Sequence, residues 1–261
     1  MYRPVTLVVP CAALIPKPLS FSVNQNEVEE NITHLMTLAR IALEKGDVEK
    51  AEAILEMGIK ISAEYQSYLA MPYMYDILAS VAFAKGNLKK AELLLVRVIE
   101  ELIQLGAEEN DSQIIDFKLR LARIYSSYEE KELAEIGFKT CLADQEAKII
   151  KGDITTKTGL LYVNILFWYG MHQLQNANYK KAKQLIDLAY NHSLNIKGLT
   201  PYQEMIILYT MADLNIKLQS YDVAFQNIQS AIFLGKGIGS VDLPKFYLKL
   251  AAIYMKIGAK R

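Results

Sequence analysis

Three histidines, two cysteines and one glycine-rich run are the residues of this chain best suited to metal binding, nucleophilic catalysis or phosphate binding. His34, His172 and His192 are far apart and form no HEXXH motif. A zinc site needs three or four ligands at short, fixed spacings, so no metal and no cofactor are expected. Cys11 and Cys141 form no close pair, and no Gly-X-Ser-X-Gly elbow is present. The run Leu234–Ser240, LGKGIGS, looks like a phosphate loop. It lacks the Walker spacing and no strand precedes it, so it is expected to be a turn between helices. With no catalytic constellation, the chain is not expected to be an enzyme.

The elements that carry these residues follow from a repeated spacing. A small residue, then Ala twelve positions on, then a large apolar residue four further, occurs five times. The sets are Ala39–Ala51–Leu55, Ala79–Ala91–Leu95, Ala122–Ala134–Phe138, Gly170–Ala182–Ile186 and Ala212–Ala224–Ile228, and Ala251 opens an incomplete sixth. The starting positions are 40, 43, 48, 42 and 39 residues apart. Fixed internal spacing with a looser period marks a two-helix unit joined by variable turns. Large residues stand just before the small ones, at Leu38, Leu78, Leu121, Tyr169, Met211 and Leu250, and are expected to fill the gap beside a close helix contact. Gly46, Gly86 and Gly258 are expected to end the first helix of their units. Asp47, Asn87, Asn178 and Ser220 are expected to cap the second.

This is the tetratricopeptide repeat pattern, lengthened. The spacing predicts an all-α solenoid of about five and a half helix-turn-helix repeats. First helices (A) are expected at 25–45, 68–85, 111–128, 158–176, 201–218 and 244–258, and second helices (B) at 48–64, 88–106, 131–149, 179–196 and 221–236. Thr200-Pro201-Tyr202-Gln203 combines a cap, a first-turn Pro and a Gln at the third helical position. Cys141 stands seven residues after Ala134, where the other repeats have Gly58, Val98, Ala189 and Ala231, and reads as a small core residue. Trp168, two residues before Gly170, is expected to be at least partly buried.

Composition narrows the partners. Of 261 residues, 52% are apolar, enough for a long continuous core, and 29 basic residues balance 29 acidic ones. A neutral surface argues against nucleic acid as a ligand, because neutralising phosphates requires a basic one. No stretch of 18 or more apolar residues occurs, so no transmembrane helix is expected. Residues 1–24 hold four prolines and no acid, and are read as a leader that is either a mitochondrial targeting segment or disordered. The sixth repeat would have an A helix and no B helix, and its apolar surface (Leu248, Leu250, Ile253, Ile257) suggests a chain cut short.

Function can then sit on the concave lining formed by the A helices. Counting from the small residue, the outward positions include Tyr73, Asp76 and Phe83 in repeat two and Arg123 in repeat three. Repeat four supplies Asn164, Phe167 and Met171, and repeat five supplies Tyr209 and Asp213. An aromatic, aliphatic and polar lining of this kind suits a peptide or helix of a protein partner. It lacks the repeated Lys/Asn pairs with which chaperone-cofactor repeats grip a C-terminal carboxylate.

Four blocks carry a more specific likeness: HLMTLARIALEKGDVEKAEAIL at 34–55, YDILASVAFAKGNLKKAE at 75–92, KLRLARIY at 118–125 and LAEIGFKTCL at 133–142. In this order and spacing they resemble the mitochondrial tetratricopeptide repeat protein 19 family. The resemblance spans about residues 30 to 258 and weakens after Ile154. It implies a non-catalytic factor at the mitochondrial inner membrane that associates with respiratory complex III. It further implies a role in the assembly and maintenance of that complex, through clearance of fragments of the processed Rieske iron–sulfur subunit. The alternative from the residues alone is a cytosolic adaptor that binds peptide segments of partner proteins.

Overall fold

The structure, a computed structural model, describes residues 23–67, 69–196 and 198–258, with side chains from residue 27 onward. The expected leader, 1–24, lies outside the described residues except for its last two positions, which belong to the first helix. Among the described residues there are eleven helices and no strand: α1 (Val23–Glu44), α2 (Val48–Glu64), α3 (Met71–Ala84), α4 (Leu88–Gln104), α5 (Ser112–Ser127), α6 (Lys131–Ile150), α7 (Thr156–Gln175), α8 (Tyr179–Ser193), α9 (Pro201–Lys217), α10 (Tyr221–Gly237) and α11 (Leu243–Gly258). Odd-numbered helices are the A helices of the repeats and even-numbered ones the B helices. The chain is an all-α tetratricopeptide-repeat solenoid.

The spacing that defines the repeats also defines their cores. Ala39, Ala51, Ala79, Ala91, Ala134, Ala182, Ala212 and Ala224 are fully buried, and Ala122 nearly so. So are the large residues that follow, Leu55, Leu95, Phe138, Ile186 and Ile228. Each such side chain contributes about 1.5–3 kcal/mol relative to exposure. At Gly170 the approach is closer: an added Cβ would stand 2.5 Å from Cγ1 of Ile186. Cys141 is buried, as its repeat position predicts.

The helices gather into two compact units, divided between Ile124 and Tyr125. In the first, Ile32, Leu55, Met74 and Leu78 pack between α1, α2 and α3. Leu95, Val98, Ile114 and Ile124 continue that core through α4 and α5. In the second, Phe138 stacks on Tyr169 with ring centroids 5.5 Å apart. Ile165, Leu166, Ile186, Ile207, Ile228, Phe246 and Ile253 are buried in the same unit.

The A-to-B turns share one backbone form. Gly46, Gly86, Glu129, Ala177 and Gln219, each seven residues after the small position, have φ of 78, 76, 64, 60 and 59°. The residue after each donates its N–H to a carbonyl five residues back, as Asp47 does to Ala42 and Ser220 to Asn215. This closes the helix in the left-handed manner. Glycine therefore marks the turn in two of these repeats, and the other three adopt it without glycine.

Several expectations are corrected. Asp47 and Asn87 do cap α2 and α4, accepting from the N–H of Lys50 and Lys90. Asn178 and Ser220 make no side-chain cap; the Asn178 amide donates instead to Gln173 Oε1 at 3.0 Å. Leu38 is 37% exposed and fills no gap, and Ala251 is exposed where the five equivalent small residues are buried. The glycine run expected as a turn is helical through Gly237, and a Cβ at Gly235 would stand 3.0 Å from Leu243 and 3.2 Å from Met205, so the missing side chain gives both room to pack against α10. Thr200 and Gln203 form the expected reciprocal cap of α9. Trp168 is half-buried, edge-on to Phe167 at 5.5 Å.

Candidate partner-binding surface

In the first unit, the candidate residues of α3 and α5 converge into a small polar cluster beside an aromatic ring. Asp76 pairs with Arg120, whose other terminal nitrogen donates to Ser80 Oγ at 2.9 Å. The Arg123 guanidinium lies 5.6 Å above the ring of Phe83, a cation–π contact. Burial pushes the Asp116 carboxyl above its ordinary value; Arg120 opposes this, Asp76 adds to it, and Arg123 opposes it. Burial, with the Arg120 charge behind it, lowers Arg123 to about 10, while Asp116 works the other way. Tyr73, Asp76, Phe83 and Arg123 are all half-buried. The cluster thus gathers two carboxyls, Asp76 and Asp116, two guanidinium groups, Arg120 and Arg123, and the ring of Phe83.

In the second unit, Asn164 and Met171 on α7 are half-buried, but Phe167 between them is only 3% exposed. The expectation that Phe167 is an outward anchor is corrected: its ring packs inside the unit. Tyr209 stacks on Phe246 at 4.7 Å, with the ammonium groups of Lys245 and Lys249 at 4.6 and 4.3 Å from its ring. Asp213 pairs with Lys249. Arg120, Lys245 and Lys249 were not among the sequence candidates. The signal for them is opposite charge on successive A helices, Asp76 with Arg120 and Asp213 with Lys249. An open depression of about 420 Å³ is lined by Tyr190, Glu204, Gln229 and Phe233 among others.

The most connected polar group of the second unit is one that sequence reasoning passed over. Glu135 on α6 accepts from Tyr169 Oη at 2.6 Å, Gln173 Nε2 at 2.5 Å and Lys181 Nζ at 2.9 Å. Lys139 lies 3.2 Å away and His172 Nε2 3.8 Å away. Burial raises the Glu135 carboxyl, but hydrogen bonds from Tyr169, Lys181 and Lys139 outweigh it and hold the group at about 2. Burial lowers His172 below its ordinary value, despite the Glu135 charge. Glu135 follows Ala134 directly and Lys181 precedes Ala182 directly. The same two positions pair Glu52 with Lys90 at 2.5 Å between repeats one and two. These are struts between neighbouring repeats. No group of three or more His, Cys, Asp or Glu side chains suited to a metal occurs among the described residues.

With the cores, turns and struts all obeying one repeat spacing, the comparison with known proteins becomes specific. The mouse protein "Tetratricopeptide repeat protein 19, mitochondrial" is 27% identical over 237 residues, 87% of this chain and 65% of the relative. The human protein of the same name is 27% identical over 240 residues, 88% of this chain and 63% of the relative. The chain is similar to mitochondrial tetratricopeptide repeat protein 19. A Drosophila melanogaster homolog is 24% identical over 85% of this chain and 62% of its own length. The chain thus spans less than two thirds of the length of these curated relatives. No family model matches it. Among solved structures, BtubC of P. vanneervenii superposes with a TM-score of 0.67 at 15% identity, covering 83% of this chain and 84% of that one. A Rap protein solved with Competence and Sporulation Factor gives 0.64 at 14% identity, over 93% of this chain and 63% of that one. At such identities these likenesses establish the fold alone.

Proposed function

We propose that the chain is a non-catalytic mitochondrial factor that binds respiratory complex III and promotes clearance of Rieske iron–sulfur subunit fragments, supporting assembly and maintenance of the complex. The observation that carries this reading is the similarity to mitochondrial tetratricopeptide repeat protein 19 over 87% of the chain. The repeat fold is consistent with it: stacked helix pairs provide extended surfaces for protein partners. No described helix is long and apolar enough to cross a membrane; association with the inner membrane is proposed to run through the complex. The half-buried residues Tyr73, Asp76, Phe83 and Arg123 in the first unit, and Asn164, Met171, Tyr209 and Asp213 in the second, are the proposed contact groups. Phe167 acts behind them as support.

The test is expression of the tagged chain in cells lacking their own copy. The unmodified chain is expected to enter mitochondria, co-purify with complex III and keep Rieske fragments low. A Tyr73→Ala, Met171→Ala double variant is expected to keep its helical signal, lose co-purification and let fragments accumulate. Normal co-purification by the folded variant would show that these surfaces are not the contact. An unmodified chain that stays in the cytosol would remove the complex III reading and leave the cytosolic adaptor.

A further inference from the structure

Three side chains that break the repeat pattern meet at the open depression of the second unit. Glu204 stands eight residues before Ala212, where repeats two, three and four have Met71, Ile114 and Tyr162, all buried, and repeat one has Asn31. Tyr190 stands eight residues after Ala182, where the other B helices have Ile59, Ile99, Leu142 and Ile232. Phe233 stands nine residues after Ala224, where the others have Lys60, Glu100, Ala143 and Asn191. A carboxylate thus replaces core residues, a phenol replaces aliphatic ones, and an aromatic ring takes a surface position. All three line the depression of about 420 Å³ among α8, α9 and α10. Phe233 is 77% exposed. Its equivalents Lys60, Glu100, Ala143 and Asn191 are exposed as well, although further repeats follow each of them. The stacking of another repeat therefore leaves this position open.

The chemistry of the three selects a cation. Glu204 is half-buried, and among the described residues no side-chain hydrogen bond or ion pair engages its carboxylate. A carboxylate drawn partly out of water without a partner costs free energy, and a cation supplies what it lacks. Its charge reaches Tyr190: burial first, and the Glu204 charge second, hold that phenol above its ordinary value, so it stays neutral. The exposed ring of Phe233 adds a surface that attracts cations. Arginine satisfies both features at once. Its planar guanidinium stacks on an aromatic ring and donates two parallel bonds to a carboxylate, whereas a lysine ammonium is a compact, strongly hydrated point charge. Gln229 and Ser230, also on the lining, offer oxygen acceptors for further N–H groups. The same two contacts occur inside the first unit, with Arg123 over the ring of Phe83 and Arg120 paired with Asp76.

We propose that the depression among α8, α9 and α10 seats an arginine side chain of a partner protein, its guanidinium paired with Glu204 and stacked on Phe233. This goes beyond the proposed role and does not depend on complex III.

The probes are three capped peptides of glycine that differ only in a central arginine, lysine or citrulline. Each is titrated into the whole chain and followed by its backbone amide resonances. The arginine peptide is expected to shift Tyr190, Glu204, Leu208 and Phe233 saturably, and to bind more weakly as salt rises. The lysine peptide is expected to bind about two- to fivefold more weakly. The citrulline peptide, nearly the same shape without the charge, is expected to bind about tenfold more weakly. Glu204→Gln is expected to bring the arginine peptide down to the level of citrulline, and Phe233→Ala to weaken it about two- to fivefold. With Phe233 exposed and Gln the size of Glu, both variants should keep the fold by circular dichroism. Citrulline binding as tightly as arginine would overturn the proposal, as would undiminished arginine binding to the folded Glu204→Gln chain or the absence of shifts at these four residues. Lysine binding as tightly as arginine would overturn it by making the depression a site for any cation. Sedimentation showing a dimer that Glu204→Gln abolishes would overturn it too, by giving the depression to a second copy.

Discussion

The left-handed turn residues show how one backbone demand is met by different side chains. A non-glycine residue pays roughly 1–2 kcal/mol for this conformation, and Glu129, Ala177 and Gln219 carry that strain while Gly46 and Gly86 avoid it. Gly46→Ala is expected to lower stability by about 1 kcal/mol, because nothing lies within 4 Å of the added Cβ and only the backbone term acts. Gln219→Gly is expected to raise it by a few tenths to about 1 kcal/mol, the relief of strain exceeding the entropy lost by glycine. Thermal melts of the two variants should move in opposite directions. Phe167 teaches the converse lesson. Its place three residues before Gly170 reads as outward, yet its 3% exposure makes Phe167→Ala a core truncation, expected to cost about 3–5 kcal/mol in chemical denaturation. Helical spacing gives the direction of a side chain and does not say how far its neighbours cover it.

Between elements, the closest approach and the most connected charge both sit around α7. Gly170→Ala would improve helix propensity by about 1 kcal/mol. It would also drive a methyl to 2.5 Å from Ile186 Cγ1, with the carbonyl oxygen of Ala182 at 3.4 Å behind. Overpacking of this kind costs about 1–3 kcal/mol, so the variant is expected to be less stable, read as a lower denaturant midpoint with an unchanged slope. The Glu135 strut joins α6, α7 and α8 and makes stability depend on acid. Its folded value is about 2, below the ordinary 4.5, so its contribution is fully present above pH 4.5 and is lost as pH falls toward 2. His172 is depressed by burial from 6.5, so its contribution declines as pH falls below 6.5. Glu135→Gln is expected to flatten stability against pH below 4.5 and, by removing the charge that favours protonated His172, to deepen the histidine limb. The strut was legible in principle: Glu directly after one B-helix Ala and Lys directly before the next occur at both Glu52–Lys90 and Glu135–Lys181. What hid it is that helices B were read for their apolar spacing alone.

Across the chain, the repeat spacing made nearly all of the fold legible, because one geometric constraint, a small residue at each A–B crossing, is imposed five times. The expected 48–64 helix is Val48–Glu64 and the expected 221–236 helix is Tyr221–Gly237. The partner surface was less legible, since which side chains stay open depends on contacts between helices far apart in sequence, such as Tyr209 on Phe246. The same neighbour-to-neighbour construction has a mechanical consequence. The pairs α1 with α2, α2 with α3 and α3 with α4 pack together, as do α6 with α7, α7 with α8 and α8 with α9. Stability in such an array is a sum of repeat and nearest-neighbour terms, so a local defect should loosen its neighbours and leave distant repeats protected. Amide hydrogen exchange on Gly170→Ala is therefore expected to speed exchange in α6 to α9 while α1 to α4 keep wild-type protection. Uniform acceleration along the whole chain would mean that the repeats unfold as one cooperative body, and the nearest-neighbour description would fail.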